Sequence, residues 1–212
     1  MVVHQLRDRG ISDPLVLEAM GSVPRERFVP EMLLEDAYAD GALAIGNGQT
    51  ISQPYIVAVM SEALRLPAWI AAHPDRTPRV LDIGTGSGYQ AAVLAEMGAQ
   101  VIGIERDPEL AAEARERLAD MGVDRVRVEV GDGSLGWAEA APYDAIVVAA
   151  ACPEPPEPLL AELADGARLV APVGDRAFQE LTVVLRMGQR LESEVLEACV
   201  FVPLVGRYGF PG

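Results

Sequence analysis

Three short stretches carry residue types suited to holding a nucleotide. Gly84, Gly86 and Gly88 alternate within Arg79-Val80-Leu81-Asp82-Ile83-Gly84-Thr85-Gly86-Ser87-Gly88-Tyr89-Gln90. Glycines spaced this way let the backbone turn sharply and let a ligand lie against it, with the amides of a following helix N-terminus facing that ligand. Glu105 closes the next apolar run, where its two oxygens can take both ribose hydroxyls. Gly131-Asp132-Gly133 closes the one after. There an aspartate can accept from the amino group of adenine while the glycines admit the ring.

These residues need a scaffold that delivers three strand ends to one edge. The chain from Arg79 onward supplies it, with apolar strands expected at 79–83, 100–104, 126–130, 144–148 and 167–172. Amphipathic helices alternate with them, one starting at Asp107-Pro108 and closed by Gly122, and a short one at 158–163. Such alternation implies right-handed βαβ units and a doubly wound, mostly parallel, Rossmann-like α/β sheet, which binds ligands outside the carboxyl ends of its strands. Segments 181–186 and 193–202 flank Gly188 without an intervening helix and read as an antiparallel C-terminal edge. Residues 1–66 read as a helical substrate or lid region packed on a 67–212 core. Asp13-Pro14 starts a helix that Gly21 stops, an irregular loop runs from 38 to 54, and a helix follows over 55–66.

The glycine spacing departs from the dinucleotide fingerprint G-x-G-x-x-G, and the three strand ends suit an adenosine without a pyrophosphate. That points to S-adenosylmethionine rather than NAD. The expected cofactor set is Asp82, Gly84, Thr85, Gly86, Gly88, Tyr89, Glu105, Arg106, Gly131, Asp132 and Gly133.

Composition narrows the rest. A chain of 212 residues that is 50% hydrophobic can bury one sizeable core. A net charge of −15 argues against nucleic acid or an anionic membrane as partner. All 17 basic residues are arginine, which excludes a Schiff base or a P-loop lysine. His4 and His73 lie far apart, Cys152 and Cys199 are too few for a disulfide framework or zinc cluster, and no metal is expected. The N-terminus lacks a secretory apolar core, and the longest apolar run, 145–152, is too short to span a bilayer. A cytoplasmic monomer is the expectation.

The order and spacing of several motifs are similar to those of the protein-L-isoaspartate O-methyltransferase family. They are Gln49-Thr50-Ile51-Ser52-Gln53-Pro54, the Val80–Gln90 stretch, Gly131-Asp132-Gly133-x-x-Gly136-Trp137, Ala141-Pro142-Tyr143-Asp144-Ala145-Ile146, Gly166-x-Arg168-Leu169-Val170-x-Pro172-Val173-Gly174 and Val202-Pro203-Leu204. The resemblance covers residues 23–210. It implies methyl transfer from S-adenosylmethionine to the free α-carboxylate of L-isoaspartyl residues in damaged proteins, followed by closure of the ester to a succinimide. It also implies Ser52 as the active-site residue, with Gln49, Thr50, Ile51, Gln53, Pro203, Leu204 and Val205 on the substrate side. From the residues alone, Ser52 is equally readable as a helix N-cap. Asn47 stands where bacterial members usually carry histidine, and Val205 where threonine is frequent. Two other readings stay open here: a carboxyl methyltransferase with a different acceptor, and a non-catalytic adenosyl-binding module.

Overall fold

The computed structural model describes all 212 residues. Its seven-stranded sheet is built from β3 (Arg79–Ile83), β4 (Gln100–Glu105), β5 (Val126–Val130), β6 (Tyr143–Val148), β7 (Leu163–Gly174), β8 (Gln179–Met187) and β9 (Arg190–Cys199), in the order β5-β4-β3-β6-β7-β8-β9. The first five in that order run parallel, and β8 and β9 form the antiparallel edge. The chain winds outward from β3 through β4 to β5, then returns across β3 to lay down β6. That reversal between β3 and β6 is the switch point at which such sheets open a crevice. Register aims the ends at it: Ile83 pairs with both Ile104 and Val148, so Gly84, Glu105 and Ala149 emerge side by side.

The helices are α1 (Pro14–Ser22), α2 (Pro54–Ala63), α3 (Leu66–Ala72), α4 (Tyr89–Glu96), α5 (Pro108–Asp120) and α6 (Glu157–Glu162). Asp13 caps α1, its Oδ1 accepting the Leu15 amide at 2.9 Å, and Asp107 caps α5 through the Glu109 amide at 2.8 Å. The span Pro54–Ala72 is apolar and, at 19 residues, long enough to cross a bilayer by length and composition. It exceeds the apolar run singled out from the sequence. The protein breaks it at Arg65, which sits at φ 57°, giving two short helices.

The N-terminal region shares its core with the sheet. Leu6, Val16, Met20, Phe28, Val57 and Met60 are buried in one apolar cluster with Ala92, Leu94 and Met97 of the α4 region. Phe28 meets the Tyr89 ring edge-on at 5.3 Å. A second cluster covers the opposite sheet face beneath α6, with Ile83, Ile146, Leu159 and Leu169.

The segment read as a loop contains a hairpin, β1 (Leu43–Gly46) and β2 (Gln49–Ile51). Asn47 and Gly48 form its two-residue turn at φ 50° and 72°, the doubly left-handed geometry that Asn-Gly favours. β7 begins earlier than expected, at Leu163. β9 ends earlier, at Cys199, because residues 200–205 leave the sheet to reach the crevice.

Candidate active site

A crevice opens at these strand ends, lined by fifteen residues. Gly84, Gly86, Glu105, Arg106 and Gly133 form one wall. Gln49 and Thr50 from β2, with Pro203, Leu204 and Val205, form the other. Val202 extends the expected C-terminal side, and Ile83, Ile104, Ala149 and Ala150, which were not foreseen, complete it. The rule that pointed to the ends of β3, β4 and β5 applies equally to β6, and would have found Ala149 and Ala150.

On the donor side, Gly84 and Gly86 turn at φ 79° and 53°. The Glu105 carboxylate fixes that turn, with Oε2 accepting the Gly86 amide at 2.8 Å and Oε1 the Asp107 amide at 2.9 Å. Each oxygen keeps acceptor capacity for a hydroxyl. A Cβ on Gly133 would lie 2.6 Å from Ile83 Cγ2, so only glycine lets the chain pass here. Arg106 is exposed at the rim.

Other expected cofactor residues lie behind this wall. Thr85 is buried against Gly103, and its hydroxyl donates to the Asp82 carbonyl at 3.1 Å. Asp82 is fully buried, and neither carboxylate oxygen has a hydrogen-bond donor. Burial pushes its pKa up to about 7, the Thr85 hydroxyl pulls it down, and neighbouring Glu105 raises it. Gly88, at φ 90°, caps α4 and packs against Leu118 rather than the crevice. The Gly131 amide donates to the Glu105 carbonyl at 3.0 Å, extending the β4–β5 ladder.

Two expected cofactor residues are engaged by the protein itself. The Tyr89 side chain points into the N-terminal helical layer, 1% exposed, with the Arg25 guanidinium 4.9 Å from its ring. It starts a buried helix face, a position the sequence does not distinguish from a ring on the ligand. Asp132 is occupied by the chain itself. Its Oδ1 accepts the Ser134 hydroxyl at 2.7 Å and the Ser134 amide at 3.0 Å, and its Oδ2 accepts the Arg207 amide at 2.8 Å. Burial alone would raise its pKa, but these donors and the charge of Arg106 hold it below the usual carboxylate range.

Asp132 therefore anchors a C-terminal strap. The Tyr208 amide bonds Ser134 Oγ at 3.0 Å, and a Cβ on Gly206 would lie 2.0 Å from Asp132 Oδ1. Upstream, the Ala151 amide donates to the Val202 carbonyl and the Leu204 amide to the Ala151 carbonyl, which presents 202–205 to the crevice. On the hairpin side, Ile51 is buried in the core, and Gln53 Nε2 is taken by Asp40 Oδ1 at 2.7 Å. Ser52 lies beyond the lining residues, half-buried, and its hydroxyl makes no hydrogen bond within the chain. The N-cap of α2 is Gln53, without a side-chain cap, so Ser52 is not consumed as one.

A family model described as protein-L-isoaspartate(D-aspartate) O-methyltransferase matches residues 1–209. The chain belongs to this family. Its relatives include the protein-L-isoaspartate O-methyltransferase of Methanoregula boonei, 53% identical over 210 residues, covering 99% of this chain and 93% of the relative. That of Syntrophobacter fumaroxidans is 50% identical over 212 residues, covering 100% and 95%. Among solved structures, a protein-L-isoaspartate O-methyltransferase superposes with a TM-score of 0.86 at 28% identity, covering 98% of this chain and 66% of that longer one. A Plasmodium falciparum structure described under the same activity, in complex with S-adenosyl-L-homocysteine, gives 0.78 at 26% identity and covers 95% of each.

The protein is thus an S-adenosylmethionine-dependent protein-L-isoaspartate O-methyltransferase. The donor wall fits that cofactor. Gly84 and Gly86 line the crevice with bare backbone, Glu105 beside them keeps free acceptor capacity, and the Asp82 carboxylate, without a hydrogen-bond partner, is buried behind the turn.

Proposed function

We propose that Ser52 orients the α-carboxylate of an L-isoaspartyl residue in the crevice, with Gln49, Thr50 and the 203–205 backbone holding the flanking peptide. The observation that carries this reading is the unengaged Ser52 hydroxyl two residues before α2 and two residues after Thr50, which with Gln49 lines the crevice. Gly84, Gly86, Glu105, Arg106 and Gly133 hold the donor. When bound, S-adenosylmethionine supplies an electrophilic methyl group on a sulfonium.

The acceptor needs no activation. An α-carboxyl has a pKa of about 3.3–3.7 and is already ionised at neutral pH, so a site with neither lysine nor histidine suffices. The chain's contribution is alignment and exclusion of water. Ile83, Ile104 and Leu204 supply apolar wall, and positioning of this kind contributes on the order of 7–11 kcal/mol. The test is labelled methyl transfer to an isoaspartyl peptide and to its aspartyl twin. Label on the first alone supports the reading, and equal label on both sinks it.

A further inference from the structure

The helix that follows Ser52 and the helix that follows the glycine turn are joined by a single hydrogen bond between buried side chains. Gln90, in the first turn of α4, donates from Nε2 to Ser61 Oγ at 2.9 Å. Ser61 Oγ donates in turn to the Val57 carbonyl at 2.8 Å. Gln90 is 6% exposed and Ser61 0%. A hydroxyl has one proton, and the Val57 carbonyl takes it. The Ser61 oxygen can therefore only accept from Gln90, which also fixes which end of the amide faces it.

The bond does more than add cohesion. Val57, Ala58 and Met60 of α2 and Ala91 and Ala92 of α4 lie in one apolar cluster. Apolar burial is non-directional and scales with area, so it does not by itself choose one register of two helices. A buried polar pair is satisfied at one relative position, and either partner displaced becomes a buried unpaired group. Each helix, moreover, carries one half of the site. α4 is continuous with the donor turn, the Gly88 amide donating to the Thr85 carbonyl and the Ala92 amide to the Gly88 carbonyl, each at 2.9 Å. α2 begins at Pro54, two residues after Ser52, and Ser61 lies about two turns along it.

We propose that Gln90 and Ser61 are positioning residues for methyl transfer, setting the distance between Ser52 and the donor turn. Neither lines the crevice, so both act through the helices that carry them. Alignment is what this reaction demands of the protein, and a misplacement of about 1 Å can cost on the order of a hundredfold in rate. The inference rests on the role of Ser52 given above.

The test compares Gln90→Met, Ser61→Ala and the double variant, each alone and combined with Ser52→Ala. Turnover of a synthetic isoaspartyl peptide, the Kd of S-adenosylhomocysteine and Tm are measured for all. Each single variant should lower kcat about tenfold, with the Kd within twofold of wild type. The double variant should lose no more than the worse single one. Added to Ser52→Ala, neither substitution should lower kcat further, because the group they position is gone. A lowered Tm with wild-type kcat below the transition would make the pair a packing device only and overturn the proposal. So would a full tenfold loss in the Ser52→Ala background, or a Kd raised in step with the fall in kcat. Wild-type turnover of Ser52→Ala sinks the parent reading and this inference together; a low value there beside an active Gln90→Met sinks this inference alone. Should Gln90→Met fail to fold, Ser61→Ala carries the same comparisons.

Discussion

The carboxylate of Glu105 accepts the Gly86 amide at 2.8 Å. One side chain at the end of β4 therefore sets the shape of the turn at the end of β3, while its remaining lone pairs stay available in the crevice. Turn geometry and ligand recognition are coupled through it. Glu105→Gln keeps one carbonyl oxygen for two backbone donors, leaving a buried amide unsatisfied at a cost of about 1–3 kcal/mol. Titration calorimetry with S-adenosylhomocysteine should show affinity falling roughly tenfold to a hundredfold. Unchanged affinity would remove Glu105 from the donor site.

Ser52→Ala should lower kcat for an isoaspartyl peptide by about tenfold or more, equivalent to about 1.4 kcal/mol. The affinity for S-adenosylhomocysteine should stay the same, since Ser52 lies outside the donor wall. Wild-type turnover in steady-state assays would leave the hydroxyl without a role.

Asp132→Asn separates two assignments of one residue. The amide presents a donor to the Arg207 amide where a carboxylate accepted it. The strap should loosen and the peptide KM rise severalfold, with the Kd of S-adenosylhomocysteine little altered. The reverse pattern would return Asp132 to the adenine.

Asp82 makes stability depend on pH. Burial raises its pKa from 3.8 to about 7, so the native state binds the more protons between those values. Stability should accordingly fall as pH rises through that window and level off above it. A shift of this size corresponds to roughly 4 kcal/mol. Asp82→Asn should raise Tm at pH 8 and leave it nearly unchanged at pH 4. Parallel melting curves at both pH values would refute the assignment.

The sheet was legible because β3, β4 and β6 are largely apolar runs and the strands from β3 to β7 alternate with helices or turns, which fixes topology. Chain-order reading likewise identified Gly84, Gly86, Glu105 and Gly133, which lie at strand ends by construction. The anchoring of the strap on Asp132 was not legible, because a carboxylate at a strand end looks the same whether its donor is a ligand or an amide 75 residues away. Tyr89 misled because its burial comes from Arg25 and Phe28, far upstream. The hairpin at 43–51 was missed although Asn-Gly is a strong turn signal, since its flanking strands, four and three residues long, are too short to show alternation.

The two thiols are buried, Cys152 fully and Cys199 nearly so. Cys152 is 0% exposed with its pKa pushed up to about 12 by burial, and Cys199 is buried beside Glu197 with its own raised to about 11. With no lysine in the sequence, no side chain carries an amine. Aldehydes, reducing sugars and maleimides therefore find almost nothing to react with. A thiol-directed fluorophore or crosslinker will attach at an introduced cysteine and report from that single position.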